Sequence, residues 1–189
     1  MSNILKLALT AIIGALLFTA PSIARASDYI GNFERVPAVQ DRPPQVAAWD
    51  VTPTVIVCDS APISETQIKS GVRFWKNLGY RFLPTQYKYD PMGKCGNSNP
   101  TGYIIIQLVT EGVKLEDVAL AQTHFFVDNE TNTIDWAIIY FRSDVRSTVL
   151  EHELGHALGF LHYNKINHLM NQKWTQGGWD KEGLENTHR

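Results

Sequence analysis

Residues 152–162 read His152-Glu153-Leu154-Gly155-His156-Ala157-Leu158-Gly159-Phe160-Leu161-His162, the pattern H-E-x-x-H-x-x-G-x-x-H. An α-helix repeats every 3.6 residues, so His152 and His156 lie one above the other on a single face. Two imidazoles so placed converge on one point, where a zinc ion would lie about 2.0–2.1 Å from each ring nitrogen. Gly159 lets the chain leave the helix through the left-handed conformation, and the turn returns His162 to the same point. Three protein ligands leave a fourth tetrahedral position for water, the pattern of a catalytic zinc rather than a structural one. Glu153, beside the first ligand, is in reach of that water. A lone H-E-x-x-H arises by chance in helices; the extended form is far more restrictive.

The other end of the chain reads as an export signal. Lys6 supplies a positive start, Leu7 to Ala20 is almost wholly apolar, and Ala24-Arg25-Ala26 is a small-x-small cleavage site. An apolar run of about 14 residues is short for a bilayer span, which needs about 20. Residues 1–26 are therefore expected to be removed, leaving a secreted or periplasmic chain from Ser27 to Arg189. That length suits one domain with its own core. Loss of Lys6 and Arg25 leaves 15 basic residues against 19 acidic, a net charge of −4 instead of −2. This is ordinary solubility, with no basic stripe for nucleic acid and no second apolar run for a membrane. A monomer is expected. In an oxidising compartment Cys58 and Cys95, the two cysteines of the chain, form a disulfide as the default reading.

Between these ends the pattern alternates strands and helices. Residues 27–53 are an irregular lead-in or short pro-segment, interrupted by Pro37, Pro43, Pro44 and Pro53. From residue 54 onward the chain reads as the folded domain. Thr54 to Cys58 is a compact β-type run. Ser64 and Gln67 form an S-x-x-Q capping box, with Ile63 and Ile68 placed as a hydrophobic staple. Ile68, Val72, Trp75 and Leu78 then repeat at helical spacing, and Gly79 supplies the stop. Tyr80 to Leu83 reads as a second strand ended by Pro84. Tyr103 to Val109 is a third, with Ile104-Ile105-Ile106 apolar enough for burial on both faces. Val118 to Phe126 and Ile134 to Phe141, joined by a polar turn, read as an antiparallel pair. Ser143 or Asp144 is expected to cap the helix that carries His152. The class is α/β (α+β), with a five-stranded mixed sheet and two long helices. The strand after the first helical crossover should run parallel to the strand before it.

The extended motif and this element order resemble the metzincin clan of zinc metallopeptidases. The clan carries a methionine-containing turn beneath its zinc, downstream of the third histidine. Met170, in Asn167-His168-Leu169-Met170, stands eight residues after His162. That short interval and the Leu-Met pair resemble the matrixin branch, including its small bacterial members. The resemblance covers residues 54–175 and is specific at 152–170. It implies a short C-terminal subdomain holding the Met-turn. It also implies that Ala119, Leu120, Ala121 and Gln122, on an edge strand, bind a peptide substrate in extended form. Tyr163 to His168 should then wall the pocket for the side chain after the cleaved bond. Two departures stand out. Gln172 occupies the position of a tyrosine that some branches use at the zinc, and residues 27–53 hold no cysteine for a matrixin-type switch.

The chemistry these residues imply is zinc-assisted peptide hydrolysis. His152, His156 and His162 hold one zinc ion, and Glu153 is the general base. Two other functions remain open: a catalytically silent zinc-binding module, and a zinc hydrolase of a non-peptide amide. His124 and His168 read as structural histidines, His168 through a hydrogen bond. Asp128, Asn129, Glu130 and Asn132 do not match EF-hand spacing, so calcium has no convincing site.

Overall fold

A computed structural model describes residues 23–25 (backbone only), 41–88, 95, 101–110, 112–115, 119–128, 130–143 and 145–187. The elements in chain order are β1 (Ile23–Arg25), β2 (Thr54–Cys58), α1 (Glu65–Asn77), β3 (Leu83–Lys88), β4 (Tyr103–Leu108), β5 (Ala121–Asp128), β6 (Thr133–Phe141) and α2 (Val149–Ala157). A 3-10 turn at Trp174–Gln176 follows. The expected export signal, apart from β1, lies outside the described residues. So do residues 27–40, Asp144, Asn129 and most of the loop at 89–100. Among the described residues no helix is long and apolar enough to cross a membrane.

The five expected strands form one mixed sheet in the order β5-β6-β4-β2-β3, and β1 extends it as a sixth strand at the β5 edge. Strands β3, β2, β4 and β6 are mutually parallel, and β5 runs antiparallel to β6. Both pairing expectations therefore hold. The parallel β2–β3 pair flanks the helical crossover through α1, and the antiparallel β5–β6 pair closes on the polar turn. β3 differs from its expectation: it begins at Leu83 and contains Pro84 rather than ending there. β3 is an edge strand, where the N–H that proline lacks is not needed by a second neighbour.

α1 starts as its capping box dictates. The Gln67 backbone N–H donates to Ser64 Oγ at 3.3 Å, and the Ser64 N–H donates to Gln67 Oε1 at 3.0 Å. Its apolar stripe, Ile68, Val72 and Trp75, is buried. The helices cover one face of the sheet, over Val55, Val57, Ile104, Ile106, Ala137 and Ile139. The other face buries Ile56, Ile105 and Ile138 under Val113, Leu115 and Cys95. Ile104-Ile105-Ile106 is thus buried on both sides, as its unbroken apolar run predicts. Cys58 and Cys95 are disulfide-bonded, tying the loop to the end of β2.

The described lead-in, residues 41–53, is packed structure. Its backbone bridges to Phe160 through Gln45 and to Thr133 through Ala48. The Gln45 side-chain amide donates to Leu158 O at 2.9 Å and the Trp49 indole donates to Ala157 O at 2.8 Å. The packed unit accordingly begins before Thr54.

Candidate metal centre

α2 is built to be held from below and on both sides. Leu150, Leu154 and Leu158 point into the core. Trp75 of α1 donates its indole N–H to Glu151 O at 2.8 Å. Gly155 lets α2 approach its neighbours: a Cβ there would lie 2.5 Å from Met170 Sδ and 2.9 Å from Trp75 Cζ2. Met170, fully buried, therefore lies beneath α2 at the turn between His152 and His156. The helix start differs from expectation. Its N-cap is Thr148, in the left-handed region at φ 69°, with no side-chain cap bond. The exit follows expectation, with Gly159 at φ 90°.

His152, His156 and His162 come together and form a group that can hold a metal ion. His156 Nε2 lies 3.0 Å from His152 Nε2 and 3.1 Å from His162 Nε2. Donors about 2.0–2.1 Å from one tetrahedral ion stand about 3.4 Å apart, so these separations fit within a few tenths of an ångström. The hydrogen bonds decide which nitrogen faces inward. A carbonyl oxygen only accepts, so His152 Nδ1–H must donate to Leu169 O, and His156 Nδ1–H to Phe160 O, both at 2.7 Å. In the neutral rings each Nε2 then carries a lone pair. Such lone pairs do not hydrogen-bond to one another and repel unless a cation lies between them. Burial drives all three imidazoles toward the neutral form, His156 well below its ordinary range and His162 to about 3. His162 has no comparable anchor: its Nδ1 is buried without a hydrogen-bond partner.

Glu153 is 5 % exposed, and burial raises its carboxyl to about 7, opposed by a hydrogen bond from Thr123. The Thr123 hydroxyl lies 2.6 Å from Glu153 Oε2 and 3.1 Å from Glu153 O. This contact went unread in the sequence, although a signal was there. Side chains alternate across β5, and Ala121, Thr123, Phe125 and Val127 face inward; Thr123 is the polar exception.

The histidines and Glu153 open into a cleft of about 580 Å³. Ala119, Leu120, Ala121 and Gln122 line it. The opposite wall differs from expectation. It is made by Leu169, Asn171 to Thr175 and Gly177, not by Tyr163 to His168. The reason is the turn at 166–170, which places Leu169 O on His152 and turns His168 inward. His168 accepts from the Met170 N–H at 3.0 Å through Nδ1 and donates through Nε2 to Glu182 O at 3.1 Å. Its structural role is thus as expected. His124 stacks edge-on against Tyr140 and is not part of the metal group. Trp174 lines the cleft, donating to Ser147 O at 3.1 Å, with the Arg146 guanidinium 5.1 Å from its ring centroid. Trp179 packs instead near Phe74.

Comparison of the chain with protein-family models and with curated proteins finds no match.

Proposed function

We propose that this chain is a zinc-dependent endopeptidase of metzincin type, exported by its N-terminal leader. The observation that carries the reading is the convergence of three neutral imidazoles, with a buried carboxylate beside them, on one cleft. Three nitrogens of this kind suit zinc among the common metals, and leave room for a further ligand. Bound there, zinc would acidify a coordinated water and polarise a carbonyl.

The chain's own residues supply the rest. His152 and His156 hold fixed tautomers through Leu169 O and Phe160 O, so their ligating nitrogens need no rearrangement. Glu153 accepts the proton of the attacking water and passes it to the leaving amine. A carboxyl raised to about 7 is matched to that task at neutral pH. The substrate lies along the outer edge of β5 and the adjoining Ala119–Gln122. Pairing of Ile23–Arg25 with His124–Phe126 supports this, because it is an antiparallel strand added to that same edge. Removal of the leader frees that edge.

The test is paired. Bound zinc and cleavage of a mixed peptide library are measured for the mature chain and for Glu153→Gln. Equal zinc with cleavage only by the wild type supports the peptidase. A wild type that binds zinc and cleaves no peptide refutes it, leaving a binding module or a hydrolase of another amide. Undiminished zinc occupancy in His162→Ala refutes the three-histidine site.

A further inference from the structure

The reading of Glu153 as general base leaves one contact unused. A carboxylate on a flexible side chain must present one oxygen to the water while the other is held. Glu153 Oε2 is held: Thr123 Oγ1 lies 2.6 Å from it, in the short range of hydrogen bonds to charged acceptors. Thr123 is 1 % exposed and stands on β5, which pairs along its length with β6. Its donor is therefore anchored in the sheet, whereas Glu153 rides on α2. The same hydroxyl also lies 3.1 Å from Glu153 O, but it has a single proton, and the shorter contact directs that proton to the carboxylate.

We propose that Thr123 is a positioning residue for Glu153: its hydroxyl fixes Oε2 and leaves Oε1 as the oxygen that handles the proton. Thr123, which also lines the cleft, acts in this role through Glu153. β5 thus serves two ends. Its outer edge takes the substrate backbone, and its inward face locks the base, so the reacting bond and the base share one rigid frame. Ordinary core packing would place an apolar side chain here, as at Ala121, Phe125 and Val127 on the same face. A buried hydroxyl aimed at a carboxylate is not what packing alone selects.

The proposal rests on the peptidase reading, and the experiment separates the two. Full-length variants are purified after leader removal, and kcat and KM are measured on a peptide from the library that the wild type cleaves. Thr123→Val keeps the shape and removes the hydroxyl. Its kcat should fall by about 10- to 100-fold, the worth of one hydrogen bond to a charged group. KM should change by less than about 2-fold and zinc content not at all, since the loss lies in the chemical step. Thr123→Ser, which restores the hydroxyl, should recover most of the rate. If Thr123→Val does not fold, Thr123→Ala against Thr123→Ser isolates the same oxygen. Unchanged kcat in Thr123→Val, or equal losses in the serine and hydroxyl-free variants, overturns the role of Thr123 and leaves the peptidase reading intact. A wild type that binds zinc and cleaves nothing overturns both.

Discussion

Gly159→Ala tests whether the exit of α2 is clamped as the structure has it. Gly159 sits at φ 90°, a conformation that costs an L-residue about 1–2 kcal/mol. The added Cβ would also run into the Ala47 carbonyl, 2.9 Å from its carbon and closer to its oxygen. That carbonyl cannot give way cheaply. Just before it in the chain, Val46 N–H donates to Gly159 O at 2.9 Å and Pro44 O accepts from Leu161 N–H at 2.8 Å. Moving the segment breaks both, at about 1 kcal/mol each, for a total of about 3–4 kcal/mol. Gly112 is the internal control: its φ is 92°, and a Cβ there meets nothing within 4 Å. Gly112→Ala should therefore cost only the conformational part, about 1–2 kcal/mol. Urea unfolding of both variants in chelator measures the difference, expected near 2 kcal/mol. A zinc titration should show affinity reduced about 10-fold or more in Gly159→Ala alone, because His162 follows the displaced turn. Equal destabilisation by the two alanines would refute the clamp.

Three further outcomes follow from the same geometry. Gly155→Ala should cost about 1–3 kcal/mol by overpacking against Met170 and Trp75, and should weaken zinc binding by shifting Leu169 O from His152; undiminished affinity would detach the turn at Met170 from the metal group. Replacing both Cys58 and Cys95 by serine opens a 37-residue crosslink and should cost about 4 kcal/mol, while zinc stoichiometry stays the same because the bridge lies on the far face of the sheet; a loss of zinc would contradict that placement. Finally, the metal-free protein should lose stability on acidification below the ordinary histidine range of about 6.5. His152, His156, His162 and His168 are shifted below that range and bind protons more readily when unfolded, whereas Glu151 and Glu153 are raised and bind protons more readily when folded. Four groups shifted down against two shifted up leave the unfolded state with more protons below about pH 6.5, so stability falls toward acid. Urea midpoints in chelator that rise toward acid would show the sign to be wrong.

What the sequence disclosed and what it hid divide along physical lines. Local chemistry was legible: the Ser64–Gln67 cap, the left-handed exit at Gly159, the polar turn between β5 and β6, and the four-residue spacing of His152 and His156. Each depends on residues within one or two turns. The hidden features depend on partners far along the chain. Gln45 and Trp49 bond to residues 113 and 108 positions away, which no periodicity at 41–53 betrays. The start of α2 is not where the local chemistry points: Ser143 and Asp144 have good capping side chains, yet the helix begins at an uncapped Thr148. Pro84 was read as a terminator because the edge position of β3 is a property of the sheet, not of the strand. The cleft wall shifted from 163–168 to 169–177 because His168 turns inward to Glu182 O, a bond to a residue 14 positions on.

The anchoring of α2 has a consequence for when the three-histidine group can form. α2 has only nine residues, and isolated helices shorter than about 12–15 residues do not persist in water. Its hold comes from Trp75, Gln45 and Trp49 upstream and from Leu169 downstream. The imidazoles therefore meet only after nearly the whole chain has collapsed around them. In a zinc finger the ion drives folding; here an ion held by these three histidines would enter only as a late event. A partly folded chain carries the full histidine motif and no ligand geometry, so the three-imidazole group cannot form before the fold around it does.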